Sequence, residues 1–182
     1  MRPSHAFLAL TLAAASGAAL ADKSPPPLVQ FSGAIGVDPL TASGGVDVSN
    51  IVRGINPGGR SWVLRKFSAT VGGDGSVSAK GAGLLFGSGD LIATRGTVAA
   101  VAVTLFCGAA DATARRFTSP SGALDLAGNF SLKGKLSEDG INPAVMPATC
   151  DNPQMLVRSF NTGTGLPGNW FAAGIVGSGD DD

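Results

Sequence analysis

The chain has 182 residues, with 13 basic and 13 acidic side chains and a formal net charge of zero. A surface for nucleic acid or anionic lipid needs an excess of lysine and arginine, so this balance predicts no nucleic-acid partner. Glycine occurs 27 times, well above the usual rate of about 7%. This content favours turns over helices and predicts a fold of short strands.

The N-terminus has the three parts of a secretory signal peptide. Arg2 supplies a positive charge, residues 6–15 form a short apolar run, and residues 19–21, Ala-Leu-Ala, place small side chains where signal peptidase cleaves. The alternative is an uncleaved membrane helix, but the run is shorter than the roughly 20 residues that a bilayer requires. We therefore expect cleavage after Ala21, a secreted or periplasmic location, and no membrane insertion after cleavage.

The remaining chain divides into a leader, one domain and a tail. Residues 22–27, Asp-Lys-Ser-Pro-Pro-Pro, predict an extended leader because successive prolines fix φ and donate no hydrogen bonds. Residues 28–176 contain short β-branched or alternating stretches separated by turn residues, which predicts a single all-β domain. We expect an antiparallel β-sandwich of about eight short strands. Residues 177–182, rich in aspartate, predict a disordered acidic tail.

The candidate strands in chain order are 28–37, 46–55, 61–71, 76–86, 97–107, 114–126 in broken form, 130–136, 155–160 and 170–176. Between the third and fourth, residues 72–75 read Gly-Gly-Asp-Gly and predict a tight hairpin, because an Asp-Gly step suits positive φ angles. Residues 98–106 are apolar at nearly every position. This run predicts a central strand covered on both faces, and its valines favour a strand over an alanine-rich helical turn.

The chain has two cysteines, Cys107 and Cys150. Export places both in an oxidising compartment, so the expected state is one intramolecular disulfide, with two free buried thiols as the alternative. Closing a loop of this length stabilises a fold by about 4 kcal/mol according to the chain-entropy model.

The mature domain lacks the side chains most used in catalysis. The single histidine, His5, lies in the predicted signal peptide, and the chain has no tyrosine. Catalytic arrangements that use histidine are therefore excluded after cleavage, and the commonest ligand of transition metals is missing. The sequence predicts a non-enzymatic binding or structural module with no catalytic residues, no metal and no cofactor.

The alternative function is a carboxylate-dependent hydrolase of cell-wall or secreted polysaccharide. Glu138, the only glutamate, has Asp139 beside it, and Asp90 or Asp151 would supply the second carboxylate of a glycosidase pair. The competing interpretation is that residues 137–140, Ser-Glu-Asp-Gly, form an exposed turn, since turns favour aspartate and glycine for backbone reasons.

Two turns present aromatic side chains that suit ligand binding. Arg60 and Trp62 follow an Asn-Pro-Gly-Gly turn, and Trp170 follows Gly168-Asn169. If the turns meet at one end of the domain, the three side chains form a stacking platform for a sugar or another planar ligand. The expected partner is an unknown protein or glycan. The alternative is that both tryptophans bury their large apolar area in the core.

Several segments resemble a group of uncharacterised exported bacterial β-sandwich proteins with one disulfide. The resemblance rests on residues 52–63, 104–108, 149–150 and 170–174, which read VRGINPGGRSWV, TLFCG, TC and WFAAG. It implies export and the disulfide and names no activity. The Gly-Asn-Phe rhythm of residues 128–136 is also similar to chordin-type extracellular β domains. Those domains carry histidines in the central strand where this chain has Thr-Leu-Phe-Cys, so no metal site follows from that similarity.

Overall fold

The computed structural model describes residues 26–39 and 50–177. They form eleven β-strands, and no α-helix occurs among them, so the predicted all-β class is confirmed. The strands are β1 (Val29–Gly36), β2 (Trp62–Val63), β3 (Lys66–Val71), β4 (Ser76–Ala82), β5 (Leu85–Phe86), β6 (Ala100–Cys107), β7 (Arg115–Thr118), β8 (Gly122–Ala123), β9 (Phe130–Lys135), β10 (Gln154–Asn161) and β11 (Leu166–Val176).

Nine strands form one curled antiparallel sheet. Their order is β7-β6-β10-β11-β1-β3-β4-β9, with β8 paired to β6, and β2 and β5 form a separate two-stranded sheet. The curl brings the two ends of this order together: Thr118 in β7 and Ser137 just after β9 exchange backbone hydrogen bonds of 2.8 and 2.9 Å. Because its two edges meet, the sheet encloses the hydrophobic core.

The core follows from the period of two in the strand sequences. In β3 and β4 exposed or half-buried residues alternate with buried ones, as expected for strands with one face to solvent. In β6 every residue is buried, so the predicted central strand is confirmed. The fully buried large side chains of the core include Phe106, Phe117, Leu105, Leu136 and Met155.

The predicted hairpin at residues 72–75 joins β3 to β4. Val71 pairs with Val77, and the register runs back to Lys66 opposite Ala82. Gly75 has φ of +77°, and the Asp74 carboxylate accepts a hydrogen bond of 2.9 Å from the Ser76 amide. The local chemistry of the Asp-Gly step is therefore sufficient to set this turn.

The disulfide between Cys107 and Cys150 is present, with its Cα atoms 4.8 Å apart. It ties the end of β6 to the segment before β10. The Gly108 amide donates to the Asp151 carbonyl over 2.7 Å beside it, so covalent and hydrogen bonds fix the same junction.

Some strand predictions differ from the structure. The candidate 46–55 lies partly outside the described residues, and its described part contains only an isolated bridge between Val52 and Ile55. Arg53 and Gly54 both have positive φ there, which turns the chain and prevents a strand. The candidates 61–71 and 76–86 are each interrupted, because their outer ends, β2 and β5, pair with each other.

The predicted signal peptide, most of the leader, and the tail beyond residue 177 lie outside the described residues. None of the residues described here forms a helix that is long and apolar enough to cross a membrane.

Candidate functional site

Trp62 is part of the core. Only 4% of its surface is exposed, and its ring lies between Phe171 and Phe86, with centroid distances of 4.1 and 4.3 Å. Arg60 is exposed, and its Cζ atom lies 5.7 Å from the centroid of Phe86. Arg60 and Trp62 line a shallow pocket of about 360 Å³.

Trp170 lies elsewhere, with 6% of its surface exposed. Its indole Nε1 donates to the Asn50 carbonyl over 2.9 Å. Trp170 is not among the residues that line the pocket at Arg60 and Trp62. Trp62 stacks on Phe171 and not on Trp170. The structure therefore brings Arg60 and Trp62 together and separates Trp170 from them.

The four carboxylates of the hydrolase alternative occupy three exposed loops. Glu138 and Asp139 line the same cleft, Asp151 lines a second pocket near the disulfide, and Asp90 lies in the turn after β5. Neither Asp90 nor Asp151 is among the residues that line the first cleft.

The first cleft has a volume of about 570 Å³, compared with about 230 Å³ for the pocket near the disulfide and about 360 Å³ for the pocket at Arg60 and Trp62. It lies between β7, the loop that follows β9, and the hairpin joining β10 to β11. Ile141 and Leu166 stand at its rim, and it is also lined by Arg116 of β7 and Arg158 of β10, two strands that both pair with β6. We call this pocket the β10–β11 cleft.

The loop on one side of the cleft is built around Asp139. One of its carboxylate oxygens accepts hydrogen bonds of 2.8 Å from the Ser137 hydroxyl and from the Ile141 and Asn142 amides. The other oxygen accepts from the Asn142 side chain over 2.8 Å. These bonds, those from the Asn142 and Ile141 amides first, hold the pKa of Asp139 well below its ordinary value. Asp139 is therefore ionised and occupied in shaping the turn.

Glu138 is also occupied. Its two oxygens accept from Nε and Nη2 of Arg115, each over 3.0 Å, in a two-pronged ion pair. The hydrogen bonds with Glu138 raise the pKa of Arg115. Both cleft carboxylates thus serve the local structure, and the predicted exposed turn at residues 137–140 is present.

Sequence reasoning missed Arg158, the most unusual residue of the cleft. It lies in β10, directly after the fully buried residues Met155, Leu156 and Val157, and only 8% of its surface is exposed. Burial, and to a smaller extent the positive charge of Arg116, lower the pKa of Arg158 to about 10. An arginine directly after the apolar run of residues 155–157 was the available signal, since such a side chain is rarely buried without a partner.

In the part of the chain that the structure describes, no group of three or more histidine, cysteine, aspartate or glutamate side chains is placed to hold a metal ion. Comparison with protein families, with curated proteins and with solved structures gives no match for this chain. The resemblance to exported bacterial proteins accordingly stays a prediction from the sequence.

Proposed function

We propose that the mature chain is an exported, non-enzymatic binding module whose ligand occupies the β10–β11 cleft. The observation that carries this proposal is that the cleft has an open volume of about 570 Å³, while its two carboxylates, Glu138 and Asp139, are already hydrogen-bonded within the protein. A ligand pocket needs volume, apolar lining and a few fixed polar groups, and this cleft has all three. A general acid or base needs a pKa near the working pH, which Asp139 lacks.

Export is supported by two independent features. The N-terminal sequence has the charge, apolar run and small residues of a signal peptide. The disulfide between Cys107 and Cys150 belongs to the group of bonds that persist in oxidising compartments. A secreted or periplasmic binding module is consistent with both.

The character of the rim favours a protein partner over a glycan. Ile141 and Leu166 are 84% and 64% exposed, and both are aliphatic. The two tryptophans, which would offer flat faces to a sugar ring, are buried. Exposed aliphatic side chains beside a pocket are typical of surfaces that contact apolar groups of another molecule.

A peptide array and a glycan array probed with the mature protein test this function, and the binding site of any hit is then mapped by amide chemical shifts. We expect peptide hits whose shifts concentrate in residues 137–143 and 165–167. Leu166→Ala should weaken binding several-fold. Leu126→Ala is the matched control, because Leu126 is also exposed, at 79%, but lies outside the cleft.

The cleft assignment would be overturned by ligands whose binding maps to the shallow pocket at Arg60 and Trp62. It would also be overturned by ligands whose affinity is unchanged in Leu166→Ala. The hydrolase alternative would be supported instead if the mature protein released reducing sugar from cell-wall polysaccharide and the Glu138→Gln variant did not. No contact of the four carboxylates favours that alternative at present.

A further inference from the structure

The guanidinium of Arg158 is fixed in place by three hydrogen bonds. Its Nε donates to the Gly168 carbonyl over 2.8 Å and its Nη2 donates to the Pro167 carbonyl over 3.1 Å. Its Nη1 donates to the hydroxyl of Thr104 in β6 over 3.3 Å. A guanidinium has five N–H donors, so two remain for another molecule.

The charge of Arg158 has no negative partner among the described residues. No carboxylate of residues 26–39 or 50–177 lies within 4.0 Å of it, since the ion pairs there join Arg115 to Glu138 and Lys135 to Asp74. The remaining cleft carboxylate, Asp139, has both oxygens occupied by its own turn. A largely buried positive charge without a counter-ion is unfavourable, and an anion beside it would relieve that energy.

A second arginine adds to the positive charge. Arg116 in β7 also lines the cleft and lies close enough to Arg158 to lower its pKa. Its Nη2 donates to the carbonyls of Ala112 and Arg53 over 3.1 and 3.3 Å, which leaves its other donors free. Lys135 lines the cleft as well, but its ammonium is paired with Asp74 over 2.6 Å. The uncompensated charge of the cleft is therefore concentrated at Arg116 and Arg158.

The rim of the cleft has the opposite character. Exposed Ile141 and Leu166 face the same opening as Pro143, Pro167 and Phe160. We call Arg158 and Arg116 the floor of the cleft. A ligand that fits both parts must carry a negative group beside these arginines and an apolar group beside Ile141 and Leu166.

Resting on the proposed binding function, we infer that the β10–β11 cleft binds an amphiphilic carboxylate. Its carboxylate group is anchored by Arg158 with help from Arg116, and its apolar group packs between Ile141 and Leu166. Two sources supply this chemistry, namely the C-terminus of a peptide that ends in an apolar residue and a free aliphatic acid.

A carboxylate fits this floor better than a phosphate does. The planar fork of one guanidinium matches the two oxygens of a carboxylate, and one negative charge balances one buried positive charge. Phosphate sites draw on several cations or on a row of backbone amides. Here the third cation, Lys135, is already neutralised by Asp74.

The test compares four probes by NMR titration of the mature protein: acetyl-glycyl-leucine, its C-terminal amide, octanoate and inorganic phosphate. We expect the free acid to bind with a dissociation constant in the range of about 1 mM, as suits so small a ligand. The amide has nearly the same shape but no charge, and it has an NH2 donor in place of one acceptor oxygen, so it should bind about ten-fold more weakly or worse. Octanoate binding as tightly as the dipeptide assigns the free-acid source, and weaker binding assigns the peptide.

The variants Arg158→Gln, Arg158→Lys and Arg116→Gln complete the test, with circular dichroism to confirm folding. Arg158→Gln should lose most of the preference for the acid over the amide and keep only the part that Arg116 supplies. Arg158→Lys should keep part of the preference, since lysine retains the charge without the fork. Arg116→Gln, at an exposed position, should weaken acid binding several-fold and keeps the inference testable if Arg158→Gln fails to fold.

Equal binding of acid and amide by the unmodified protein would overturn the carboxylate inference and leave the cleft as a binding site. Phosphate binding more tightly than every carboxylate would also overturn it. If every probe changed the chemical shifts only of residues outside the cleft, that result would count against the proposed function itself.

Discussion

Replacing Trp62 with alanine removes a side chain that is 96% buried between two aromatic rings, at centroid distances of 4.1 Å from Phe171 and 4.3 Å from Phe86. Truncating a buried tryptophan or phenylalanine to alanine costs about 3–5 kcal/mol. Each aromatic pair contributes about 0.5–1.5 kcal/mol beyond its buried area, which places Trp62→Ala toward the upper part of that range. A domain of this kind has a total stability of about 5–15 kcal/mol, so this loss is a third or more of the total.

Urea unfolding followed by the fluorescence of the remaining tryptophan, Trp170, measures this loss. Val63→Ala is the matched control, since Val63 is adjacent in β2 but 45% exposed, and should change the free energy of unfolding by less than about 1 kcal/mol. A loss below about 1 kcal/mol for Trp62→Ala, combined with weaker binding of any ligand, would refute the structural role and restore the platform predicted from the sequence.

Three further predictions concern stability. The double variant Cys107→Ala and Cys150→Ala should lose about 4 kcal/mol in the free energy of unfolding, measured in urea, because it reopens the loop closed by the disulfide. Asp139→Asn should lower the melting temperature most above the ordinary aspartate pKa of 3.8, and the difference from the unmodified protein should narrow as the pH falls below that value. The reason is that a carboxylate whose pKa is lowered by folding stabilises the fold only while it is ionised. Gly128→Ala should destabilise by about 3 kcal/mol or more in the same urea assay, since its Cβ would lie 2.6 Å from the Leu84 backbone.

Each of these has a contrary outcome. Equal stability of the double cysteine variant and the oxidised protein would contradict the loop-closure argument. A difference for Asp139→Asn that grows on acidification would show that the turn does not depend on the ionised carboxylate. For Gly128→Ala the control is Gly140→Ala, at nearly the same positive φ but in open space, which should cost only about 1–2 kcal/mol. If Gly128→Ala and Gly140→Ala lowered the free energy of unfolding equally, the clash of the added Cβ with the Leu84 backbone would not explain the effect of Gly128→Ala.

The elements that were predictable from sequence are those set by local chemistry. The hairpin of residues 72–75 depends on an Asp-Gly step, and the central strand β6 on an unbroken apolar run. The disulfide needed only two cysteines and an export signal. By contrast, the start of candidate 61–71 forms β2 and the end of candidate 76–86 forms β5. These two strands depend on pairing between residues more than twenty positions apart. Periodicity cannot indicate such a pairing.

The candidate site was less predictable because its parts come together only in the fold. These residues, Arg116, Ile141, Arg158 and Leu166, belong to three strands and a loop, and none of them forms a recognisable motif. The sequence also does not indicate which aromatic side chains come into contact. Trp170 and Phe171 are neighbours in sequence at an irregularity in the pairing of β11 with β10, and only Phe171 stacks on Trp62.

The position of Arg158 connects the stability of the cleft with its proposed chemistry. The same guanidinium that faces the cleft donates to the carbonyls of Pro167 and Gly168, so it also holds the hairpin that carries Leu166. A side chain fixed in this way loses little further freedom when a ligand binds, and the rim and floor keep their spacing. A buried charge without a counter-ion is unfavourable for stability, so a buried arginine at this position is consistent with the binding role proposed for the cleft.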